Sequence, residues 1–301
     1  MLLLTGATGL IGSSVLRRLI VAGTPTRCLV RDPRGLGERR VRVQIALGDL
    51  ADPPSFRNAL RGVDTVVHLA GTVRDQSRGS IEELNGVATW RMVAAAERAG
   101  VRRFVTFSVL EASTYHRARL FRAKALAERA VREAELHSIV FAPSLVYAPG
   151  DHALRTLERL TLLPAVPMSG RGRAVVQPIW AEDVAECVIA ALHASEHAPH
   201  GRSGEFARER YELAGPDTLN YSDIARLALR SFGRRRPLVH VPTPAVSRSL
   251  RALEAVAGER APATWEEAEL MEIDMVSRHG TADAEALGVA PRAMRAVLGV
   301  R

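Results

Sequence analysis

The sequence predicts an α/β fold in which a parallel sheet is doubly wound, with helices on both of its faces. Short apolar runs of strand length alternate with longer segments of helical periodicity through the first half of the chain. A glycine-rich turn joins the first apolar run to the first helical segment. After Pro143, proline and glycine become denser, which predicts a smaller C-terminal domain that covers the strand ends.

The predicted elements alternate in chain order. Apolar runs typical of buried strands cover residues 2–5, 26–30, 41–47, 64–69, 104–109 and 138–141. Helical periodicity covers residues 11–22, 81–99, 114–134 and 181–194. Because parallel strands need crossover connections, which are usually helical, this order favours a parallel sheet.

The same pattern predicts the domain boundaries. Residues 1–150 are predicted to form the first domain, and residues 178–195 are predicted to return to it. Residues 151–177 and 196–301 are then predicted to form the smaller, partly interleaved C-terminal domain. Within that domain, the composition of residues 197–205 predicts a loop.

Composition is typical of a soluble globular protein, with 47% hydrophobic and 25% charged residues in a chain of 301 residues. No apolar run reaches the roughly 18 residues of a membrane-spanning helix, so no transmembrane segment is predicted. The apolar start at residues 1–4 lacks the basic region and cleavage site of a signal peptide, which predicts a cytoplasmic location. The pattern of residues 242–257 predicts an amphipathic helix. We expect this helix to pack on the core rather than to act as a lid or to lie on a membrane surface.

Cysteine use and charge exclude several classes of site. Cys28 and Cys187 lie within apolar runs, so we expect buried thiols rather than disulfides, and no Cys/His cluster has metal-ligand spacing. The net charge is +8, and Lys124 is the only lysine among 41 basic residues. The arginines form no basic stripe with stacking aromatics, so no specific nucleic-acid binding is predicted.

A dinucleotide-binding turn is predicted at the start of the chain, where three glycines follow a strand and open a helix. Such a turn must be tight, and its backbone must approach a pyrophosphate with no Cβ in the way. The helix then presents free N–H groups and the positive end of its dipole to the phosphates. This context is that of a Rossmann-type domain, and the predicted cofactor contacts are Gly6, Thr8, Gly9, Leu10, Ile11 and Gly12.

The end of the second strand bears on the choice of cofactor. An arginine there would accommodate a 2′-phosphate, whereas an acidic residue would bind a free ribose 2′-hydroxyl. Arg31 comes first after the strand, and Asp32 follows it. The sequence therefore favours NADP(H), while NAD(H) remains an alternative.

Further motifs accompany the glycine turn along almost the whole chain. They are Val30-Arg31-Asp32-Pro33, Gly48-Asp49-Leu50, Val66-Val67-His68-Leu69-Ala70-Gly71, Pro143-Ser144-Leu145-Val146-Tyr147, Gly150-Asp151, Pro178-Ile179-Trp180-Ala181-Glu182-Asp183-Val184-Ala185 and Tyr211-Glu212-Leu213-Ala214-Gly215-Pro216. With them the chain resembles the extended or atypical short-chain dehydrogenase/reductases, in the branch that includes the nucleotide-binding accessory subunit of respiratory complex I. These motifs are specific to the superfamily rather than to one reaction.

The resemblance implies a set of cofactor contacts that follow successive strands. These contacts are Asp49 and Leu50 at the adenine, Leu69, Ala70 and Gly71 along the cofactor, and Pro143 and Ser144 near the nicotinamide. The resemblance also implies a structural role for Asn85. His68 is expected to be a satisfied core residue of the fourth strand rather than a catalyst.

The resemblance further implies a reductase centre made of a serine after strand five, a tyrosine and a lysine one helical turn later. In it the serine and the lysine also contact the cofactor, and the lysine holds the nicotinamide ribose. Ser108 and Lys124 stand at the serine and lysine positions, and the use of the only lysine here indicates that a compact ammonium is needed. Leu120 stands where the tyrosine is expected, and a leucine donates no proton. On a continuous helix His116 would share one stripe with Leu120 and Lys124, which makes His116 an alternative proton donor.

The sequence therefore predicts an NADP(H)-binding oxidoreductase that acts on a small, apolar carbonyl or related compound. Ser108 and Lys124 favour an enzyme, whereas Leu120 favours a non-catalytic dinucleotide-binding sensor, assembly factor or scaffold protein. A sugar-nucleotide epimerase or dehydratase is a weaker alternative, since that chemistry usually depends on the missing tyrosine. The sequence leaves the substrate and the oligomeric state open.

Overall fold

Seven parallel strands form the central sheet in a computed structural model that describes residues 1–196, 210–258, 261 and 263–300. The strands are β1 (Leu2–Thr5), β2 (Thr26–Val30), β3 (Gln44–Leu47), β4 (Thr65–His68), β5 (Arg103–Phe107), β6 (His137–Pro143), β7 (Val146–Tyr147), β8 (Val166–Ser169), β9 (Val175–Val176), β10 (Ile179–Trp180), β11 (Arg210–Leu213), β12 (Leu219–Asn220) and β13 (Leu238–Val241). The helices are α1 (Leu10–Val21), α2 (Pro53–Phe56), α3 (Ala88–Arg98), α4 (Arg119–Arg132), α5 (His152–Leu160), α6 (Ala181–Glu196), α7 (Tyr221–Ser231), α8 (Thr243–Ala257), α9 (Trp265–Leu270), α10 (Ala282–Ala286) and α11 (Met294–Val297). Two 3₁₀ segments, Pro33–Arg42 and Arg57–Leu60, and a π-helical turn, Glu83–Val87, complete the described elements.

The order of the strands places a crevice in the middle of the central sheet. The order is β11-β6-β5-β4-β1-β2-β3, so the chain first moves outward from β1 and then crosses to β4 on the other side of β1. In open α/β sheets, ligands bind at such a switch point, outside the carboxyl ends of the strands. The predicted α/β fold with a doubly wound parallel sheet is confirmed.

Alternating side chains of the strands build a core on each face of the sheet. Leu4 is the cross-strand partner of Val67, and both pack on the face covered by α1 and α6. Leu3 is the partner of Val66, and both pack on the opposite face, beneath α3. All four side chains are fully buried, as the period of two along a strand requires when both faces are covered.

Helix α6 returns to the sheet, as the sequence predicts for residues 178–195. It packs against α1, and Glu182 of α6 accepts hydrogen bonds from Ser14 Oγ at 2.6 Å and from Arg18 Nη2 at 3.1 Å. Strand β11 lies in the segment that the predicted boundaries assign to the smaller domain, yet it pairs with β6 at the edge of the central sheet. The domain boundaries themselves stay a prediction.

The C-terminal half adds two-stranded sheets and short helices. Strands β7 and β10 pair in parallel, as do β8 and β13, whereas β9 and β12 are antiparallel. The helix predicted for residues 242–257 is confirmed as α8, which packs on α9 with Arg251 at 4.2 Å from the centre of the Trp265 ring. No helix in the described part of the chain is both long enough and apolar enough to cross a membrane.

Several predicted element boundaries are wrong, because local capping and turns start or end the elements elsewhere. The third strand begins at Gln44 rather than at residue 41, since Asp32 accepts a hydrogen bond from Arg34 N and caps the 3₁₀ segment that follows. The fifth strand ends at Phe107 rather than at residue 109, and the helix predicted for residues 114–134 begins only at Arg119. The helix predicted for residues 81–99 contains the π-helical turn, and the loop predicted for residues 197–205 lies outside the described residues.

His68 is the buried polar junction between β1, β4 and α3. Its Nδ1 lies 2.9 Å from Thr5 Oγ1 and its Nε2 lies 3.2 Å from Thr89 Oγ1, which confirms the expected satisfied core residue. Burial, and then the positive charge of Lys124, lower the pKa of His68 from 6.5 to about 3. The folded protein therefore keeps this imidazole neutral.

We expect this histidine to make folding sensitive to acid. Between pH 6.5 and about 3 the unfolded chain binds a proton at His68 that the folded chain does not bind. Stability is therefore lost as the pH falls through this window, by up to about 1.4 kcal/mol per pH unit from this group. Urea unfolding at several pH values measures the slope.

His68→Gln should be less stable than the parent near neutral pH but should lose this part of the pH dependence, since glutamine does not titrate. His137→Gln, at an exposed position, is the matched control and should keep the parental slope. Identical pH slopes in the parent and in His68→Gln would contradict the assignment.

Candidate dinucleotide and active site

The glycine turn lies at the crevice and touches the loop after β4. Gly6 has φ +69°, and a Cβ on it would lie 2.6 Å from the backbone nitrogen of Ala70. A Cβ on Gly12 would overlap the carbonyl oxygen of Gly6. Gly6 thus allows the turn to approach β4, and Gly12 allows α1 to pack close to the turn.

The amino end of α1 is arranged to receive an anion. Gly9 is its N-cap residue and provides no side-chain cap, while Thr8 and Leu10 are exposed at the turn and Ile11 is half-buried. The first N–H groups of a helix have no partner within the helix and lie at the positive end of its dipole. The six predicted contacts of the turn are therefore brought together where a pyrophosphate would bind.

Two guanidinium groups flank the predicted adenine end. Arg78 pairs with Asp49 at 2.8 Å, and Arg31 Nη1 lies 3.4 Å from Gln76 Oε1. Burial acts to raise the pKa of Asp49, but the Ala51 N–H and the charges of Arg78 and Arg31 outweigh it, so this pKa is lowered. Sequence reasoning missed Arg78, because nothing in its loop marks it as a partner of a residue after another strand.

The two acidic candidates of this region are already engaged by the protein. Asp32 accepts a hydrogen bond from Arg34 N at 2.8 Å and caps the 3₁₀ segment. Asp49 carries the ion pair with Arg78. Leu50 is half-buried against the core of the α3 face, beside the predicted adenine position.

Lys124 lies at the other end of the crevice with its ammonium buried. Its Nζ donates a hydrogen bond to the Phe107 carbonyl at 2.9 Å, and a Cβ on Gly71 would lie 3.2 Å from this nitrogen. Burial lowers the pKa of Lys124 to about 8, although the Glu128 carboxylate acts against this shift. The ammonium thus faces the glycine loop after β4, along which the cofactor is predicted to pass.

Asn85 holds this loop in place. Its Nδ2 donates hydrogen bonds to the carbonyl oxygens of Thr72 at 2.8 Å and Ile81 at 2.9 Å. Its Oδ1 accepts one from Thr72 N at 3.3 Å and lies where a Cβ on Gly71 would collide with it. The side chain is fully buried, which fits the structural role that the family resemblance implies.

Ser108 follows Phe107 directly and carries an unsatisfied hydroxyl. Its backbone N–H donates to the Phe141 carbonyl at 2.7 Å, but its buried Oγ has no hydrogen-bond partner within the described residues. A buried polar group without a partner costs about 1–3 kcal/mol. Such a hydroxyl, beside the carbonyl that binds Lys124, is available to a ligand oxygen.

The remaining predicted contacts lie on the same edge, but one of them is engaged elsewhere. Leu69 packs on the core of the α1 face, and Ala70 N donates to Thr5 Oγ1 at 3.3 Å. Pro143 ends β6, and the next residue, Ser144, donates from Oγ to the Met275 carbonyl at 2.6 Å. Gln177 N also donates to this Oγ, at 2.9 Å, so the Ser144 hydroxyl joins segments of the chain.

Leu120 is buried one turn before Lys124 and lines a small cavity. The cavity has a volume of about 20 Å³ and is closed on its other side by α9. Its lining combines apolar residues with three charged ones: Val73, Ile81, Ala118, Leu120, Trp265 and Leu270 are apolar, and Arg119, Glu266 and Glu269 are charged. The position of the family tyrosine is thus occupied by a side chain that donates no proton.

The predicted stripe of His116, Leu120 and Lys124 is wrong, because α4 begins only at Arg119. His116 precedes the helix: its Nδ1 accepts a hydrogen bond from Ala118 N at 3.0 Å, and its ring stacks on Phe121 at 4.3 Å. Burial, and then the neighbouring arginines, lower the pKa of His116, against the effect of its bond to Ala118. The shared helical stripe that suggested a catalytic role for His116 is therefore absent, and the role itself stays a prediction.

Comparison with known proteins supports this reading of the glycine turn. Residues 6–195 match a family described as NAD(P)H-binding. The chain is 27% identical to a ceramide reductase of Caulobacter vibrioides, over 81% of this chain and 74% of that protein. It is also 27% identical to the NADH dehydrogenase [ubiquinone] 1 alpha subcomplex subunit 9 of Arabidopsis thaliana, over 79% of this chain but only 60% of that protein.

A solved structure resembles the whole chain. The NADPH-dependent quinone oxidoreductase of Escherichia coli, in complex with NADPH, superposes with a TM-score of 0.72 over 99% of both chains. At 14% identity this likeness concerns the fold alone.

The role of the turn in binding the cofactor can be tested at Gly9. A side chain at Gly9 would clash less with the backbone than one at Gly6 or Gly12. A Cβ on Gly9 would lie 3.3 Å from Gly6 O, so we expect Gly9→Val to fold. Its β-branched side chain would occupy the approach of the pyrophosphate. Calorimetric titration with NADPH should show binding weakened by at least about 100-fold, or about 2.7 kcal/mol.

Ala22→Val, at the other end of α1, is the control and should bind NADPH as the parent does. Circular dichroism must show that both variants are folded. A folded Gly9→Val protein with the parental affinity would show that the turn is not the binding site.

Proposed function

Because the chain belongs to the NAD(P)H-binding family, we propose that it is an NADP(H)-dependent oxidoreductase that reduces a small, apolar carbonyl compound. The resemblance to the extended and atypical short-chain dehydrogenase/reductases is confirmed. A relative named for ceramide reduction supports the reductase assignment and an apolar substrate. The cytoplasmic location expected from the sequence stays part of the proposal.

The observation that carries the proposal is the Ser108 hydroxyl, which has no hydrogen-bond partner in the described part of the chain and lies beside the Lys124 ammonium. The two groups meet at Phe107, which precedes Ser108 and accepts the hydrogen bond of Lys124. A protein that only held a dinucleotide would have no need of a desolvated hydroxyl at this point. A carbonyl oxygen of a substrate would supply the missing partner.

The residues present can perform most of a carbonyl reduction. A bound reduced nicotinamide supplies the hydride. Gly6 and the amino end of α1 would hold its pyrophosphate, and Lys124 would bind the nicotinamide ribose, as the family resemblance implies. Ser108 Oγ would donate to the carbonyl oxygen and orient the carbonyl for transfer.

Preference for NADP(H) belongs to the same proposal. Arg31 and Arg78 bring two positive charges to the adenine end, where a 2′-phosphate would lie. Asp32, the residue that would favour a free 2′-hydroxyl, is engaged in capping its own segment. Both observations favour the phosphorylated cofactor.

Arg31→Ala should weaken the binding of NADPH by about 1–3 kcal/mol and leave that of NADH nearly unchanged, because only NADPH has the 2′-phosphate that the guanidinium contacts. Calorimetry with both cofactors measures the difference. Arg98→Ala is the matched control, since Arg98 lies at the far end of α3. Tighter binding of NADH than of NADPH by the parent would overturn the preference.

A second candidate function is favoured by Leu120. A centre without its usual proton donor suits a nucleotide-binding subunit or sensor that does not turn over substrate. The relative named as a subunit of NADH dehydrogenase supports this candidate. Turnover by the purified protein separates the two functions.

The oxidation of NADPH should therefore be followed with a panel of apolar ketones, quinones and long-chain keto lipids. We expect turnover by the parent and a loss of about 100-fold in Ser108→Ala, with unchanged affinity for NADPH, because the hydroxyl acts on the substrate oxygen. Leu120→Tyr, which places a phenol one turn before Lys124, should raise turnover unless the leucine-lined wall has adapted to another substrate shape.

Binding of NADPH without turnover of any compound in the panel, by the parent and by Leu120→Tyr alike, would favour the second candidate. His116→Ala belongs in the same series. Parental turnover in this variant would remove His116 as a proton donor.

A further inference from the structure

The cavity beside Leu120 contains a carboxyl group among its apolar walls. Helix α9 closes the cavity, and Glu266 points from this helix towards the side that carries Leu120 and Arg119. Its side chain is only 9% exposed. A carboxyl group in this position is unusual, because acidic side chains are rarely buried unless they are well paired.

Glu266 is poorly paired for a buried carboxylate. Its Oε1 lies 3.4 Å from Arg119 Nη1, and its Oε2 has no hydrogen-bond partner among the described residues. The same guanidinium binds Glu82 at 2.6 Å and Asp75 at 2.8 Å, which are much closer contacts. The positive charge of Arg119 is therefore largely used by two other carboxylates.

The charges around Glu266 favour its protonated form. Asp75 faces it from the loop after β4, Glu254 from α8 and Glu269 from the same helix, while Arg119 is the cation that faces it from α4. Burial, and then the carboxylates of Glu254 and Asp75, raise the pKa of Glu266, although its local hydrogen bonds act against this shift. A neutral carboxyl group can donate a proton, which is what the reaction centre lacks at Leu120.

Resting on the proposed reductase function, we propose that Glu266 is the proton donor of this centre and replaces the tyrosine that is missing at Leu120. A bound reduced nicotinamide would supply the hydride to the carbonyl carbon and would itself become oxidised. The carbonyl oxygen takes the proton of the Glu266 carboxyl, so that one C–H and one O–H bond form and the π bond breaks. The glutamate left behind is reprotonated from water after the alcohol departs.

This assignment explains two features of the cavity together. Leu120 and Glu266 line the same small cavity from α4 and from α9, so the acid stands across from the position of the missing tyrosine. Within the described residues no group satisfies the buried Oε2 of Glu266, and a substrate oxygen would give it a partner.

Glu266→Gln tests the donor role, because it keeps the size and the hydrogen-bonding amide but removes the transferable proton. Turnover of NADPH with the best compound of the carbonyl panel should fall by about 100-fold or more, with an unchanged Kd for NADPH. Glu158→Gln, at an exposed position on α5 away from the cavity, should turn over as the parent does. Glu266→Asp should recover part of the lost activity.

The pH dependence separates a proton donor from a structural partner of Arg119. Parental turnover should fall as the pH rises through the raised pKa of Glu266, and Glu266→Gln should lack this fall while it keeps any change that comes from Lys124. Titration of ¹³C-labelled glutamate carboxyls by NMR, with the signal assigned by its loss in Glu266→Gln, should place this pKa above the usual range for glutamate.

Turnover that survives Glu266→Gln, or a Glu266 carboxyl that titrates in the usual range, would overturn the donor role and leave the reductase function standing. An absence of turnover by a parent that binds NADPH would overturn the reductase function, and the donor role with it.

Discussion

The close contact between the glycine turn and the loop after β4 is the constraint on which the site depends. Because Gly6 has no Cβ, the turn after β1 can lie against the backbone of Leu69 and Ala70, which follow β4. Strands β1 and β4 are the neighbours between which the order of the sheet reverses. The amino end of α1, the loop at Gly71 and the Lys124 ammonium all lie along this one edge. A side chain at Gly6 would separate the two strand ends and with them the two halves of the site.

Much of the fold could be predicted because it depends on short-range patterns. Apolar runs of strand length and the glycine turn are both local signals in the sequence. Because helices cover both faces of the sheet, its strands are continuous apolar runs and do not alternate between apolar and polar residues. The only lysine, at position 124, indicates from the sequence that a compact ammonium is needed there, and the structure buries this ammonium. His68 and Asn85 likewise have the structural surroundings expected of them.

What could not be predicted depends on contacts between distant segments. The turn at residues 114–118 has helical periodicity, yet the imidazole of His116 caps the chain at Ala118 and the helix starts later. Arg78 pairs with Asp49 across 29 residues of sequence, and Glu266 meets Arg119 across 147. The Thr264–Glu267 capping box marks the start of α9 in the sequence but does not show which wall of the crevice this helix covers.

The attachment of α9 to the nucleotide-binding half has a kinetic consequence. Glu267 pairs with Arg74 at 2.9 Å, so a partly buried ion pair ties α9 to the loop after β4, over the cavity. A movement of α9 that widened the cavity for a substrate would have to separate this pair. Because salt weakens attractions between charges that solvent can reach, the exchange of substrate and product should speed up with ionic strength, whereas hydride transfer between buried groups should respond far less.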